Sequence, residues 1–209
     1  MSKQISRDRE IYVAAEMLGK YENGIPIVID ERNDERLNPK NVDDKIRIYE
    51  REVEEWFLKP ASNLLAQNSF NNSFVVLMIC MAYIEGVEQY KTGVGSRNKS
   101  EEYFKASIKR LYPDKFEDAD LAGFYVKARC GLFHNGMVRG GVEFSNSFEK
   151  PIEFLSNGSV VRVNPTLLLK DIKDDFKRYI NELKGTDNTA SQDSLRTIRQ
   201  NFDRMFSVL

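Results

Sequence analysis

The chain has 209 residues, a net charge of −1 at pH 7 and a pI of about 6.0. Its hydrophobic and charged fractions are typical of a soluble globular protein, and its near-neutral charge excludes recruitment of nucleic acid by a general basic field. One histidine and two cysteines are too few for a structural zinc site within one chain. These numbers predict a single domain, alone or with an appendage, without metal or cofactor.

Residues 1–41 are predicted to form an N-terminal helix followed by an extended segment. The stretch EIYVAAEMLGKY at 10–21 favours a helix that ends near Asn23-Gly24. Alternating isoleucines at 25, 27 and 29 then predict a short strand, and 31–41 is a charged loop. The N-terminus has no secretory signal, and the apolar run at 74–84 is too short to cross a bilayer. Two cysteines in apolar helical patterns favour a reduced state, so we expect a cytoplasmic protein with no membrane partner.

Residues 42–184 are predicted to form a helical bundle. A helix from about Val42 is kinked or restarted at Pro60, and an apolar helix over 70–90 is expected at the centre. Asn98 and Glu101 have capping-box spacing at the start of the next helix. Asp118 or Asp120 is expected to cap the following one, which ends at Gly136.

The pattern becomes β-rich over about 142–163, where Asn157-Gly158 predicts a hairpin. Asn164-Pro165 then predicts the start of a helix that runs to about Lys184. Residues 185–209 comprise a polar linker and an amphipathic helix from about Ser194. The predicted fold class is therefore all-α: a helical bundle with a small peripheral β-hairpin and a C-terminal amphipathic helix.

The segment ARCGLFHNG at 128–136 contains the only histidine of the chain, His134, five residues after Arg129. Arginine stays charged and binds phosphate through two hydrogen bonds, while histidine exchanges protons near neutral pH. The pair therefore suits metal-independent RNA cleavage by the 2′-hydroxyl. Residues five apart on an ideal helix point about 140° away from each other. Either the helix unwinds at Asn135-Gly136, or a symmetric dimer brings the residues together.

A structural interpretation of the same residues is also open. Arg129 can pair with Glu85 in the apolar helix, and His134 can hydrogen-bond backbone at the helix end. The protein would then be a non-catalytic dimerisation or partner-binding module, and a small-nucleotide sensor is a third possibility. Candidate substrate-binding residues surround the motif or lie in the basic loop that follows the apolar helix: Lys91, Arg97, Lys99, Asn135 and Arg139.

Arg129-Cys-Gly-Leu-Phe-His134 resembles the R-x4-6-H signature of the HEPN superfamily over roughly residues 42–184, although Cys130 stands where the family often has asparagine. The resemblance implies a helical bundle and a homodimeric, metal-independent endoribonuclease, commonly found in toxin–antitoxin or antiviral systems with a cognate protein partner. It also implies that Arg129 binds phosphate and His134 transfers a proton. Glu85 is added from its predicted burial, as the residue that orients Arg129. The products would be a 2′,3′-cyclic phosphate and a 5′-hydroxyl.

Overall fold

The computed structural model describes residues 4–67, 70–186 and 191–209, without the side chains of Phe70 and Asn135. The all-α fold class is wrong, because the chain contains two β-sheets as well as helices. The strands are β1 Ile11–Ala14, β2 Met17–Glu22, β3 Ile25–Asp30, β4 Glu35–Leu37, β5 Val142–Phe144, β6 Ile152–Leu155 and β7 Val160–Val163. The helices are α1 Val42–Val53, α2 Lys59–Ala66, α3 Phe70–Thr92, α4 Ser100–Leu111, α5 Asp118–Phe124, α6 Gly131–Asn135, α7 Pro165–Lys184 and α8 Gln192–Met205.

The N-terminal segment forms a four-stranded antiparallel sheet in the order β1-β2-β3-β4. The helix predicted over 10–21 is wrong, since these residues form β1 and β2. Asn23-Gly24 ends no helix; both residues have positive φ and form the two-residue turn of the β2–β3 hairpin. The strand predicted from the alternating isoleucines is confirmed as β3, while the predicted charged loop contains β4.

The chain divides into two compact units, which we describe separately. Unit 1 comprises Met1–Lys59, Tyr90–Val94 and Arg178–Leu209. Its aromatic core surrounds Tyr49 of α1, whose ring contacts Tyr90 and two rings of the C-terminal segment, Phe202 and Phe206. The predicted amphipathic C-terminal helix is therefore confirmed as α8, with its apolar side in this core. Residues 187–190 of the predicted linker lie outside the described residues, and the domain boundaries drawn at 41/42 and 184/185 stay a prediction.

Unit 2 comprises Pro60–Gln89 and Gly95–Lys177. The predicted hairpin is confirmed as β6 and β7, which are joined through a turn with positive φ at Ser156, Asn157 and Gly158. It is part of a larger sheet, because β5 pairs in parallel with β7. The helix predicted after Asn164-Pro165 is confirmed as α7, and the Asn164 side chain accepts hydrogen bonds from the Thr166 and Leu167 amides.

Helix α3 has 23 residues, more than its apolar run suggested. By length and composition it is a candidate membrane span among the described residues, but half of the relevant window is buried inside the protein. Val76, Leu77 and Ile84 are fully buried. This burial is typical of the core helix of a soluble protein.

Two predicted helix caps are absent. Asn98 has a φ of 60° and precedes the actual N-cap residue of α4, Lys99, which makes no side-chain capping bond. Helix α5 begins at Asp118, with Glu117 as an N-cap residue that also makes no capping bond. The predicted end at Gly136 is confirmed, because this glycine terminates α6 with a φ of 70°.

Candidate functional site

The helix that carries Arg129 and His134 is interrupted by a π-turn. Helix α5 continues directly into the turn Tyr125–Cys130, and α6 follows without a break. In a π-turn the backbone bonds span five residues instead of four. Arg129 therefore lies in a wide turn, and His134 lies in the regular α-helical turn after it.

Arg129 is held by the carboxylate of Glu85, the pair that burial logic predicts. Its Nε and Nη2 atoms both contact Oε2 of Glu85 at 2.6 Å. The two side chains are only 19% and 11% exposed, so the ion pair is poorly screened by solvent. Among the described residues, none bonds to the remaining guanidinium nitrogen, Nη1. The pair therefore fixes the guanidinium and leaves one nitrogen for a further acceptor.

Two aromatic rings from the same helix flank the guanidinium. The Arg129 Cζ atom lies 5.7 Å from the ring centre of Tyr125 and 5.1 Å from that of Phe133, both within cation–π range. Burial and a hydrogen bond with Cys130 raise the pKa of Tyr125, so its hydroxyl is neutral at physiological pH. The sequence analysis missed both rings, although their spacing of four residues on either side of Arg129 is the signal for a shared helix face.

His134 is exposed near the C-terminal end of α6. The helix continues through Asn135 and turns only at Gly136, so the predicted unwinding that would swing His134 towards Arg129 does not occur. In the described part of the chain, no hydrogen bond or ion pair links their side chains.

The candidate substrate-binding residues are in different surroundings. Arg97, Lys99 and Arg139 are exposed. Lys91 is largely buried in unit 1, where it pairs with Glu182 and lies over the ring of Tyr179. The side chain of Asn135 is outside the described part of the structure. Arg97, Lys99 and Arg139 are accessible and stay candidates for substrate binding. The contacts of Lys91 are those of a structural residue.

A second buried charge cluster, around Arg110 on α4, was missed by the sequence analysis. Arg110 contacts the carboxylates of Glu88 on α3 and Asp175 on α7, and Tyr83 donates to Asp175 at 2.9 Å. Burial disfavours the charge of Arg110, but the two carboxylates outweigh it and raise its pKa. The cluster ties three helices of unit 2 together. Glu85 and Glu88 lie three residues apart on a buried helix, a spacing that could have indicated two arginine partners.

Comparison with known proteins leaves the family open. No protein-family model matches the chain, and neither curated proteins nor solved structures show a significant similarity to it. Within the described residues, no group of three histidine, cysteine or acidic side chains is placed to hold a metal ion. The candidate site is therefore defined by its own geometry: a fixed arginine and an exposed histidine on one helix.

Proposed function

We propose that the protein is a metal-independent endoribonuclease of the kind that the R-x4-6-H resemblance implies. Arg129 binds the scissile phosphate and His134 transfers a proton. The observation that supports this proposal most is the exposure of His134, next to the end of a helix whose arginine is already oriented by Glu85.

In the proposed reaction, the ribose 2′-oxygen attacks the adjacent phosphorus and loses its proton to a base. The bond between phosphorus and the 5′-oxygen breaks, and that oxygen receives a proton. His134 serves as the proton donor to this 5′-oxygen. The Nη1 edge of Arg129 stabilises the charge on the phosphate oxygens.

The active unit is proposed to be a homodimer. Residues five apart on an ideal helix point about 140° away from each other, so we expect that a single copy does not direct Arg129 and His134 at one phosphate. A two-fold axis would bring the arginine of one copy towards the histidine of the other. It would also supply a second histidine, which acts as the base for the 2′-hydroxyl. A cytoplasmic toxin–antitoxin or defence role, with a cognate protein partner, belongs to the same proposal.

A non-catalytic interaction module is the second candidate function, and the Glu85–Arg129 pair favours it. A carboxylate that neutralises the guanidinium competes with phosphate, and the two flanking rings are consistent with a purely structural arginine. In that case the helix serves dimerisation or partner binding. RNA cleavage distinguishes the two candidates.

The test uses purified protein and labelled single-stranded RNA in excess EDTA. We expect cleavage to a 2′,3′-cyclic phosphate and a 5′-hydroxyl, and no cleavage where the attacking ribose lacks its 2′-hydroxyl. His134→Ala should lose about 10²-fold or more in rate, the typical contribution of a positioned acid or base. His134→Gln should be equally impaired, while the exposed Arg196→Ala should cleave normally.

Each control addresses one part of the proposal. Since His134 is exposed, both of its variants should keep the wild-type melting temperature. Cleavage by His134→Ala at the wild-type rate would remove His134 from the mechanism and indicate a contaminating nuclease. Inactivity of the wild-type protein in EDTA with activity restored by a divalent cation would contradict the metal-independent reaction. Inactivity of the wild-type protein on all RNAs would favour the interaction module.

A further inference from the structure

A small apolar cavity lies in unit 2 beside the segment that follows His134. Its volume is about 360 Å³, and it is lined by Asn71, Phe74, Met137, Val138 and Phe144. The rings of Phe74 and Phe144 are 5.9 Å apart and inclined at 53°. Met137 is 62% exposed, an unusual degree of exposure for a large apolar side chain. The volume of the cavity is at the lower end of the range for ligand pockets, roughly 300–1,000 Å³.

The wall formed by Met137 and Val138 is attached to the helix that carries the candidate site. Gly136 reverses the chain, and the next residues lie against Gly131, where a Cβ atom would be 2.7 Å from the Met137 carbonyl oxygen. The Arg139 amide donates to the Lys127 carbonyl oxygen at 2.8 Å, which fixes the far end of the segment. The cavity is therefore held in a constant position relative to the last turns of the helix with Arg129 and His134.

The opposite wall comes from α3 and β5. Phe74 lies on the same helix as Glu85, and Phe144 lies in the strand that pairs with β7. Phe74 and Phe144 thus lie on a helix and a strand of unit 2, and Met137 and Val138 lie in the segment that packs against Gly131. A site built on such elements is pre-organised for its ligand.

The lining selects a flat, uncharged, aromatic group. No charged side chain is among the residues that line the cavity, and Asn71 supplies the single side-chain amide, which can both donate and accept a hydrogen bond. Proteins bind unpaired RNA by stacking exposed bases on aromatic side chains and bonding to their edges. Arg139 is exposed and follows Val138 in the chain, and we expect it to contact a backbone phosphate outside the cavity.

We propose that this cavity receives an unpaired nucleobase of the RNA, next to the phosphate that the site cleaves. The inference rests on the proposed nuclease function and adds a substrate class: single-stranded RNA, with little preference for base identity. Stacking tolerates every base, whereas paired bases inside a duplex are unavailable to the cavity. Phe144 and Phe74 are thus specificity-determining residues for single-stranded over double-stranded RNA.

The first experiment measures binding and does not depend on cleavage. Single-stranded RNA containing 2-aminopurine is titrated with the His134→Ala variant, and stacking is detected by quenching of the fluorescence. When Phe144→Ala is combined with His134→Ala, RNA binding should weaken about tenfold and the quenching should disappear. Phe144→Tyr in the same background should keep both the affinity and the quenching. Phe148→Ala is the matched control, because Phe148 is a partly buried ring of the same unit that packs against Arg162 and does not line the cavity.

The second experiment measures cleavage by otherwise wild-type protein of a single-stranded RNA, the same RNA in a duplex, and the same RNA with an abasic residue. We expect Phe144→Ala to raise KM about tenfold on the single strand only. It should also abolish the difference between normal and abasic RNA. Melting curves exclude unfolding of the variant.

The outcomes separate the two proposals. Quenching that depends on Phe144, together with no cleavage by the wild-type protein, would support the base pocket and overturn the nuclease. If Phe144→Ala cleaves RNA with the wild-type KM, and if quenching and the discrimination against duplex RNA are also unchanged, the base pocket alone would be overturned. Absence of RNA binding would overturn both. A change in self-association of Phe144→Ala, without a change in RNA binding, would assign the cavity to a second copy of the chain and likewise overturn the base pocket.

Discussion

At the scale of single residues, the Glu85–Arg129 pair combines two roles that stability measurements can separate. The pair is nearly buried, so removal of one partner leaves the other charge desolvated without compensation. An arginine kept only for packing could be replaced, together with its partner, by apolar side chains of similar size.

Glu85→Gln should lower the free energy of unfolding by about 3 kcal/mol, the lower end of the cost of breaking a buried ion pair. The double variant Glu85→Leu/Arg129→Met should recover most of this loss, because it buries no unpaired charge. Thermal melts followed by circular dichroism give both values. The matched control is Asp174→Asn, which breaks the exposed pair with Lys170 and should cost less than about 1 kcal/mol. A double variant as unstable as the single one would contradict this account.

The sequence predicted which residues form the candidate site better than it predicted how they are arranged. Burial of α3 was enough to assign Glu85 to Arg129, because a carboxylate in an apolar helix requires a partner. Tyr125 and Phe133 were not predicted, although each lies four residues from Arg129, and the π-turn around Arg129 leaves no signal in the composition. The Arg110 cluster was not predicted, because the sequence does not show which arginine meets Glu88 and the second carboxylate, Asp175, lies on a third helix.

At the scale of elements, some turn and cap residues predicted the structure correctly, whereas the caps predicted at Asn98 and at Asp118 or Asp120 are absent. Asn164-Pro165, Asn157-Gly158 and Gly136 were placed correctly, since each supplies a specific capping bond or a positive φ. The N-terminal helix was wrong because the apolar residues of 10–21 fit both helical and strand spacing. The turn that separates β1 from β2 contains Glu16 at a φ of 55°, a residue that gives no turn signal.

Gly131 shows how one element constrains another near the candidate site. In Gly131→Ala, the new Cβ atom would lie 2.7 Å from the Met137 carbonyl oxygen and 3.0 Å from the Arg139 amide nitrogen. Both are backbone atoms that cannot rotate away, so the segment at 137–139 must shift. We expect a loss of about 1–3 kcal/mol in thermal melts, typical of overpacking.

The matched control is Gly123→Ala, in the α-helical segment just before the π-turn, where nothing lies within 4 Å of the added atom. That variant should gain roughly 0.5–1 kcal/mol from helix propensity alone. Equal effects of the two substitutions would contradict the close contact at Gly131. A loss confined to Gly131→Ala would confirm that the segment at 137–139 packs directly against the helix that carries Arg129 and His134.

At the scale of the whole molecule, unit 1 is assembled from both ends of the chain. Ile5 donates its amide to the Val208 carbonyl oxygen at 2.6 Å, and Phe202 and Val208 are fully buried. The sequence predicted α8 as an amphipathic helix, but an apolar face does not reveal whether it covers its own chain or a partner. The structure assigns that face to the core around Tyr49, so α8 is not a free docking element.

Phe202→Ala should therefore destabilise unit 1 by about 3–5 kcal/mol, the cost of truncating a buried phenylalanine. The only tryptophan, Trp56, lies in unit 1 and is partly exposed, so its fluorescence in a urea titration reports this transition. The control, Arg196→Ala, removes an exposed side chain from the same helix and should change stability by less than about 0.5 kcal/mol. An unchanged midpoint for Phe202→Ala would contradict the placement of this ring in the core of unit 1.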